Sequence, residues 1–574
     1  MGIACLMTCF AMAAKMGCRR PAARVVSASS EPGVPRPRRR RNNPLRSGAH
    51  RGVMTGRIAS ARSLAPPSPS RALADRPRPG RDRRRRLAIA LCAPVVAALL
   101  LPAAAGAAPD HERLAARARD ALGRAVAYFR DEVAVQGSYG WRYSADLTYR
   151  RGEALLTPSQ GWVQPPGTPA IGLALMQAYA ATGDRRYLDG AAETARALAA
   201  TQLESGGWYA MIEFDPEQQK AWCYRRLPAD RRDRAARAEN KSCDASSVDD
   251  NISQSALELL MRVDVALGGE DPLIGDAVAY GLEKVIEAQY PNGAWPVRFD
   301  KRVPTSEAWA AWRARYPETW SRTPVKIEDR LFYGTNDNLI GDLVRVFLLA
   351  HRLYGREAYL ATAIRAGEFL LAAQMPEPQP GWAQQYNRDM VPMWGRKFEP
   401  PAIASWETRR ATDTLLDLHR HTGKERYLRA AGRAAAWLEA SRLEDGQWAR
   451  YYELETNRPL YMTSDYNLTY DDGDTPGHYG FKGYFDVPRT LARHRDLARR
   501  ADGGLAATDE DPAALADALA PEVARAVAAL DDQGRWLEDD MINSATFIAN
   551  VDLLARYLAA TNGQVLPRLA LLDR

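Results

Sequence analysis

The sequence predicts an all-α fold built from helical hairpins that repeat along the chain. Three segments begin alike, with a Gly-containing turn followed by a Tyr-Leu pair, at residues 182–188, 354–360 and 422–428. An Ala- and Leu-rich stretch follows each of them, and within residues 359–373 the apolar side chains recur at the period of an amphipathic helix. The glycine permits a left-handed turn between antiparallel helices. Such hairpins bury a shared core as a ring, an α/α toroid, or as an open solenoid.

A glycine followed by a tryptophan ends each of these helical stretches, and the same pattern recurs elsewhere in the chain. The tryptophans concerned are Trp141, Trp208, Trp295, Trp382, Trp448 and Trp536. Because they fall at the same end of each repeat, they are expected to gather on one rim of the fold. An indole there has two possible uses: its apolar face can stack on a sugar ring, or it can cap the end of its helix.

The chain begins with a segment that we do not expect to fold. Residues 1–86 are rich in Arg, Pro, Ser and Ala, which favours a disordered leader or an incorrectly assigned start codon. Residues 87–107 have the order of a secretory signal peptide, since a basic run precedes an apolar stretch and then small residues. A single membrane-anchoring helix is the alternative for that stretch. We therefore expect a secreted or periplasmic protein comprising residues 108–574, with no membrane segment after signal cleavage and with C-terminal helices in residues 510–574.

Removing this leader reverses the sign of the net charge. The whole chain is formally +8, with 78 basic and 70 acidic residues. Residues 1–107 carry 21 of the basic and 3 of the acidic residues, which leaves 57 and 67 and a charge of −10. Nothing in the mature part indicates nucleic-acid binding, which favours a basic face. An anionic substrate would need a local cationic cluster or a bridging metal ion.

Two acidic turns precede predicted helices and are candidate metal sites. The first contains Asp249 and Asp250, followed by Asn251, and the second contains Asp337 between two asparagines. Carboxylate oxygens are the ligands that Ca²⁺ prefers. The same residues could equally cap the helices that follow.

Cations lie among aromatic residues in three loops further along the chain. Residues 381–388 end in Arg388, residues 396–402 begin with Arg396 and Lys397, and residues 448–459 contain Arg450 and Arg458. Arginines held in stiff, Pro-containing loops suit a preorganised anion site. Solvated surface charges are the alternative explanation.

These segments together resemble the family-10 pectate lyases. Residues 288–296 read Q-Y-P-N-G-A-W-P after their first Ala, close to the family's Q-Y-P-N-G-G-W-P motif. The two acidic turns, the Gln384-Gln385 loop, the stretch of residues 396–401 and the stretch of residues 448–459 follow in the family's order over residues 155–485. The sequence departs from the pattern at Tyr386, where the family usually has His, in an insertion that separates Asn251 from Asn336, and in a long, charged segment at residues 216–240.

The resemblance implies an α/α toroid that cleaves polygalacturonate or a related uronan by calcium-assisted β-elimination. It places Ca²⁺ on Asp249, Asp250 and Asp337. It makes Arg396 the base that removes the C5 proton, with Arg450 and Arg458 assisting; Lys397 is the second choice as base because its intrinsic pKa is lower. The candidate substrate-binding residues are Trp295, Trp382, Gln385, Tyr386, Arg388 and Tyr452.

Two other functions fit parts of this pattern. A glycoside hydrolase could use Asp249 or Asp250 with Asp337 as paired carboxylates, and a non-catalytic carbohydrate-binding protein could use the tryptophan rim alone. We expect a monomer whose partner is an acidic polysaccharide. Cys223 and Cys243 are the two cysteines beyond the leader, and an exported compartment would allow them to pair.

Overall fold

In the computed structural model, the described residues 110–300, 313–325, 333–501 and 510–569 form a predominantly helical structure. The predicted leader at residues 1–86 and the predicted signal peptide at residues 87–107 lie outside the described residues. The helices are α1 (His111–Tyr128), α2 (Thr168–Thr182), α3 (Arg185–Ala200), α4 (Arg234–Glu239), α5 (Ile252–Ala266), α6 (Pro272–Glu287), α7 (Leu339–Tyr354), α8 (Glu357–Ala373), α9 (Ser405–Thr422), α10 (Glu425–Ala440), α11 (Val487–Ala501), α12 (Pro512–Ala529) and α13 (Ser544–Thr561).

The helices pack in two concentric layers. In the inner layer, α13, α2, α5, α7, α9 and α11 each pack on the next, and in the outer layer α1, α3, α6, α8 and α10 pack on α13, α2, α5, α7 and α9. The last helices meet the first, since α12 packs on both α1 and α13. This arrangement is an α/α toroid, as predicted. No helix within the described ranges is both long and apolar enough to cross a lipid bilayer.

The predicted glycine turns join inner helices to outer ones. Gly183, Gly355 and Gly423 end α2, α7 and α9 with φ angles of 69°, 66° and 67°. This left-handed conformation is strained for residues with a side chain. The three similar segments of the sequence therefore mark the same structural turn.

Short strands lie in the connections that lead from one helical hairpin to the next. None of them was predicted from the sequence. They are β1 (Arg142–Ser144), β2 (Arg150–Arg151), β3 (Gln160–Trp162), β4 (Met211–Glu213), β5 (Ser246–Ser247), β6 (Arg298–Phe299), β7 (Tyr333–Gly334), β8 (Gln385–Tyr386), β9 (Ala402–Ala404), β10 (Trp448–Ala449), β11 (Tyr451–Glu453), β12 (Pro459–Met462), β13 (Leu468–Thr469), β14 (Lys482–Gly483), β15 (Leu537–Glu538) and β16 (Met541–Asn543). They form small antiparallel sheets, and β1 pairs with both β2 and β16. Each strand is only two to four residues long, which is too short to show the alternation of apolar and polar residues that predicts a strand.

Five of the six tip tryptophans are buried, which corrects the expectation that Trp295 and Trp382 bind sugar. Both have no exposed surface. Each of the five indole N–H groups donates to a carbonyl near the end of the preceding outer helix. The pairs, at 2.7–2.9 Å, are Trp208 with Leu198, Trp295 with Val285, Trp382 with Leu370, Trp448 with Leu438, and Trp536 with Ala526. These rings satisfy helix-end carbonyls that would otherwise lack partners.

The long, charged segment contains α4 and is crosslinked by a disulfide. Cys223 and Cys243 are joined, and α4 lies between them. Trp222 stacks on Tyr224 at 5.7 Å between ring centroids, and both contribute to a small apolar cluster separate from the main core. This segment therefore carries its own stabilising contacts.

Candidate functional site

The two acidic turns have the same backbone conformation at the beginning of adjacent inner helices. Asp250 and Asn251 have φ angles of 45° and 62°, and Asp337 and Asn338 have 49° and 61°. Asp and Asn adopt this left-handed region more readily than most residues with a side chain. Asn251 and Asn338 occupy the N-cap positions of α5 and α7, but neither makes a capping hydrogen bond through its side chain. Helix capping therefore does not explain these turns.

The carboxylates of the two turns converge. One oxygen from each of Asp249, Asp250 and Asp337 lies within 4.8 Å of the others. Burial raises the pKa of Asp249, and the charge of Asp337 raises it further, although Arg298 and Arg396 oppose the shift. The Oδ1 atom of Asp249 is buried and has no hydrogen-bond partner. Three oxygen donors, one of them unsatisfied, fit a hard divalent cation such as Ca²⁺.

A cavity of about 280 Å³ lies against this carboxylate cluster. It is lined by Asp249, Asp250, Val297, Asn336, Asp337, Gln385, Gly395, Arg396 and Glu399. The pairing of β7 with β8 sets Gly334 opposite Gln385, which brings the glutamine loop beside the second acidic turn. Gln385 is largely buried and donates to the carbonyl of Met393 at 3.0 Å. It is thus the one of the six candidate substrate-binding residues that lines the described cavity.

Arg396 lines the same cavity but is held by Glu399. Its Nε donates to Glu399 Oε1 at 2.8 Å, and its backbone N–H donates to Oε2 at 2.7 Å. Desolvation lowers the pKa of Arg396, but the hydrogen bond and charge of Glu399 outweigh it, so the pKa is raised. A base needs the opposite shift. The environment of Arg396 therefore argues against the base role predicted for it and suits a fixed positive charge.

Lys397 points to the surface next to Arg396. Its Nζ lies 3.4 Å from the centroid of the Tyr466 ring, a cation–π contact. Lys397 is exposed and is not among the residues lining the cavity. To act as a base, it would have to leave Tyr466.

Arg450 is buried and forms an ion pair that the sequence did not suggest. Its guanidinium lies 3.6 Å from Glu407 and 4.1 Å from the ring centroid of Tyr479. Glu407 is almost fully buried, and neither carboxylate oxygen accepts a hydrogen bond. Burial raises the pKa of Glu407 against the opposing charge of Arg450. Glu407 lies in the first turn of α9, where an acidic residue ordinarily complements the helix dipole, so this ion pair was not predictable from the position of Glu407 in the sequence.

A buried hydrogen-bond network connects the two cationic loops. Gln384 donates to Glu399 Oε1 at 2.7 Å and accepts from the Tyr451 hydroxyl at 2.6 Å. The Tyr479 hydroxyl lies 3.3 Å from Glu399 Oε1. Because these groups are fixed by one another, Arg396 and Arg450 are held in a defined relation.

Four other predicted residues lie away from the cavity. Tyr386 is fully buried and donates to the carbonyl of Ala373 at 2.8 Å; Tyr452 is buried and donates to the carbonyl of Ser441. Neither ring can stack on a sugar, which corrects both predictions.

Arg388 and Arg458 interact with tyrosines outside the cavity. Arg458 is exposed and directly precedes β12, and its guanidinium carbon lies 3.6 Å from the centroid of the Tyr470 ring. Burial raises the pKa of Tyr290 to about 12, against the opposing charge of Arg388. Neither arginine lines the described cavity, so a direct role there is not supported for Arg388 or Arg458.

Comparison with known proteins gives only distant structural similarity. No family model and no curated protein matches the chain. A family 10 polysaccharide lyase from Cellvibrio cellulosa is similar at 15% identity and a TM-score of 0.39, covering 56% of this chain and 95% of that one. A family 76 glycoside hydrolase (mannosidase) from Bacteroides thetaiotaomicron is similar at 11% identity and a TM-score of 0.41, covering 78% and 99%. A D-mannose isomerase is similar at 11% identity and a TM-score of 0.40, covering 77% of this chain and 97% of that one. Similarity at this level assigns no activity.

Proposed function

We propose that the protein is a secreted polysaccharide lyase that cleaves polygalacturonate or a related uronan by calcium-assisted β-elimination. The observation that carries the proposal is the convergence of Asp249, Asp250 and Asp337 in a cavity that also contains Arg396. Oxygen donors and a fixed guanidinium are the two kinds of group that a uronate reaction needs. The disulfide between Cys223 and Cys243 supports export to an oxidising compartment.

The reaction requires charge stabilisation next to the C5 proton of a uronate. That proton is weakly acidic because its loss places negative charge beside a carboxylate that is already charged. Ca²⁺ bound to the three aspartates would neutralise the substrate carboxylate and stabilise the enolate-like transition state. Arg396, locked by Glu399, can hold the same carboxylate through its remaining N–H groups.

The structural environment changes the roles proposed for the two candidate bases. Arg396 is better suited to charge stabilisation, because its ion pair with Glu399 keeps it protonated. We propose Lys397 as the proton acceptor, because a lysine loses its proton more readily than an arginine, after its side chain has rotated away from Tyr466. Lys397→Met should then abolish turnover while leaving substrate binding nearly unchanged, whereas the same change at Lys424, which is partly buried and does not line the cavity, should alter neither.

The direct test is incubation of the purified protein with polygalacturonate. We expect ultraviolet absorbance from an unsaturated uronate to rise with Ca²⁺ and to stop when a chelator is added. Product masses should lack the added water of hydrolysis. Saturated products, or no cleavage of any uronan in the presence of Ca²⁺, would refute the proposal.

A glycoside hydrolase is the second candidate, and one observation favours it. Asp249 has a raised pKa beside the carboxylate of Asp337, a relation that can assign one carboxyl group as acid and the other as base or nucleophile. One oxygen from each aspartate lies within 4.8 Å of the others, which is closest to the separation of about 5–5.5 Å in retaining hydrolases. This activity would give saturated products and would survive the chelator.

A further inference from the structure

The inner helices carry a charged face that lines two adjoining cavities within the ring. The cavities have volumes of about 400 and 220 Å³ and share Arg345, Asp417 and Arg420. On α7, the lining residues Asp342, Arg345 and Arg352 recur at intervals of three and seven, which places them on one face of the helix. Other faces of α7 pack on α5, α8 and α9, so this charged face is the one left toward the interior of the ring.

Positive charge predominates in these two cavities. Among the described lining residues, eight arginines face four carboxylates. The cavity at the acidic turns has the opposite balance, with four carboxylates and Arg396, and the predicted mature chain is negative as a whole. Charges of one sign along a recess with protein walls focus the electrostatic potential and concentrate counter-ions. The two cavities therefore attract anions.

The lining carboxylates are already paired with arginines, but two of the lining arginines have no such partner. The carboxylate pairs are Glu258 with Arg262, Asp342 with Arg345, and Asp413 and Asp417 with Arg493. Arg352 and Arg420 lie near the C-terminal ends of α7 and α9. Within the described parts of the chain, neither of these two side chains makes a hydrogen bond or an ion pair. Each guanidinium thus keeps five N–H donors for a bound ligand.

His421 responds to the positive potential around Arg352. Its ring lines the larger cavity, and its Nε2 lies 3.2 Å from Nδ1 of His351. Burial lowers the pKa of His421, and the charges of His351 and Arg352 lower it further. An environment that disfavours one more positive charge favours a negative one.

We propose that Arg345, Arg352 and Arg420 bind a compact multivalent oxyanion, of the phosphate or sulfate class, in these cavities. Guanidinium groups bind such anions through paired N–H donors. A tetrahedral oxyanion concentrates its charge on one centre, whereas a polyuronate carries one charge on each sugar ring, so the excess of arginines suits the former. Arg352 lies roughly 20 Å along α7 from the acidic turn that precedes this helix. The site is therefore distinct from the carboxylate cluster and does not depend on the proposed lyase activity.

Calorimetry of the purified protein in a calcium-free buffer at neutral pH tests this site, with pyrophosphate and sulfate as the probes. We expect saturable binding of at least one of them and much weaker binding of acetate, which carries a single charge. Arg352→Gln and Arg420→Gln should each weaken binding about tenfold, as for loss of one charged hydrogen bond. Arg429→Gln, at an exposed position on the outer helix α10, changes the net charge equally and should leave binding unchanged.

The same measurements define the results that would overturn the proposal. No binding of either probe, or binding that is unaffected in both Arg352→Gln and Arg420→Gln, would exclude the site. An equal loss in Arg429→Gln would show a general effect of net charge. Tighter binding of a galacturonate dimer or of acetate would overturn the assignment to compact multivalent oxyanions. Because Arg352 and Arg420 are exposed, both variants should unfold at the same temperature as the parent protein, and cleavage of polygalacturonate with Ca²⁺ reports on the lyase separately.

Discussion

Replacing Arg450 should leave a buried carboxylate without its counter-charge. Arg450 and Glu407 are both buried, and their side chains lie 3.6 Å apart. Neither oxygen of Glu407 accepts a hydrogen bond, so Arg450 supplies its closest compensation in the described structure. Arg450→Met keeps an unbranched side chain at this position and removes the charge together with the cation–π contact to Tyr479.

Breaking a buried ion pair by removing one partner destabilises a protein by about 3–5 kcal/mol, whereas replacing both partners is often neutral. We therefore expect Arg450→Met to lower the free energy of unfolding by about 3–5 kcal/mol near neutral pH. Adding Glu407→Leu should restore most of this loss, since replacing both partners of a buried ion pair by apolar residues is often neutral and the replaced carboxylate made no hydrogen bonds.

The loss should depend on pH in a defined direction. Burial raises the pKa of Glu407 above its ordinary value in the folded chain, and removing Arg450 should raise it further. As the pH falls, a carboxyl group with a raised pKa takes up a proton in the folded state at a higher pH than in the unfolded state. It therefore destabilises the folded state most at high pH, where it is charged. The destabilisation by Arg450→Met should shrink as the pH falls toward the ordinary carboxyl pKa, while the double variant should not show this trend.

Urea unfolding followed by circular dichroism, at neutral and acidic pH, measures these free energies, provided that the dependence on urea stays the same among variants. A loss below about 1 kcal/mol in Arg450→Met, or a double variant whose loss equals the sum of both single losses, would refute the argument. The double variant has a second use: if it is folded but inactive, the charge of Arg450 is needed for catalysis and not only for stability.

Three further predictions concern the cluster and the tip residues. Asp337→Asn should weaken Ca²⁺ binding at least about tenfold by calorimetry, as expected for loss of a charged ligand, whereas Asp389→Asn on an exposed loop should not; equal effects would remove Asp337 from the site. Because the pKa of Asp249 is raised, lowering the pH should begin to weaken Ca²⁺ binding at a pH above the usual carboxyl range. Asp249→Asn should flatten this pH profile of Ca²⁺ affinity. An unchanged profile would contradict the assignment of Asp249 as a Ca²⁺ ligand. Trp382→Ala should lower the free energy of unfolding by about 3–5 kcal/mol, while Trp382→Phe should leave sugar binding intact; selective loss of binding would show that the ring contacts substrate.

The features that the sequence predicted well are those fixed by neighbouring residues. The turn at Gly355 depends on local backbone freedom, so three similar segments were enough to place three hairpins. The acidic turns at Asp250 and Asp337 were recognisable because each precedes a helix in its repeat, and the packing of adjacent inner helices then brings them together. Their local conformation and their convergence both follow from the repeat.

The features that were not predicted from the sequence depend on contacts between distant parts of the chain. Trp382 looks the same in sequence whether it faces a sugar or a helix end, and only the packing of α8 decides between them. Glu399 and Glu407 were overlooked for a related reason. Their importance comes from the burial that surrounds them and from the arginines they hold. Charge compensation of this kind leaves no pattern in residue spacing.

The balance of charge in the cavity links substrate class to the need for a metal ion. Among the described lining residues, Asp249, Asp250, Asp337 and Glu399 face a single cation, Arg396. Such a cavity repels a uronate carboxylate unless a divalent cation is bound first, so Ca²⁺ should be required for substrate binding there as well as for the chemical step. A chelator should therefore abolish binding of a galacturonate trimer in calorimetry, and trimer binding that is equally tight with and without the chelator would refute this argument.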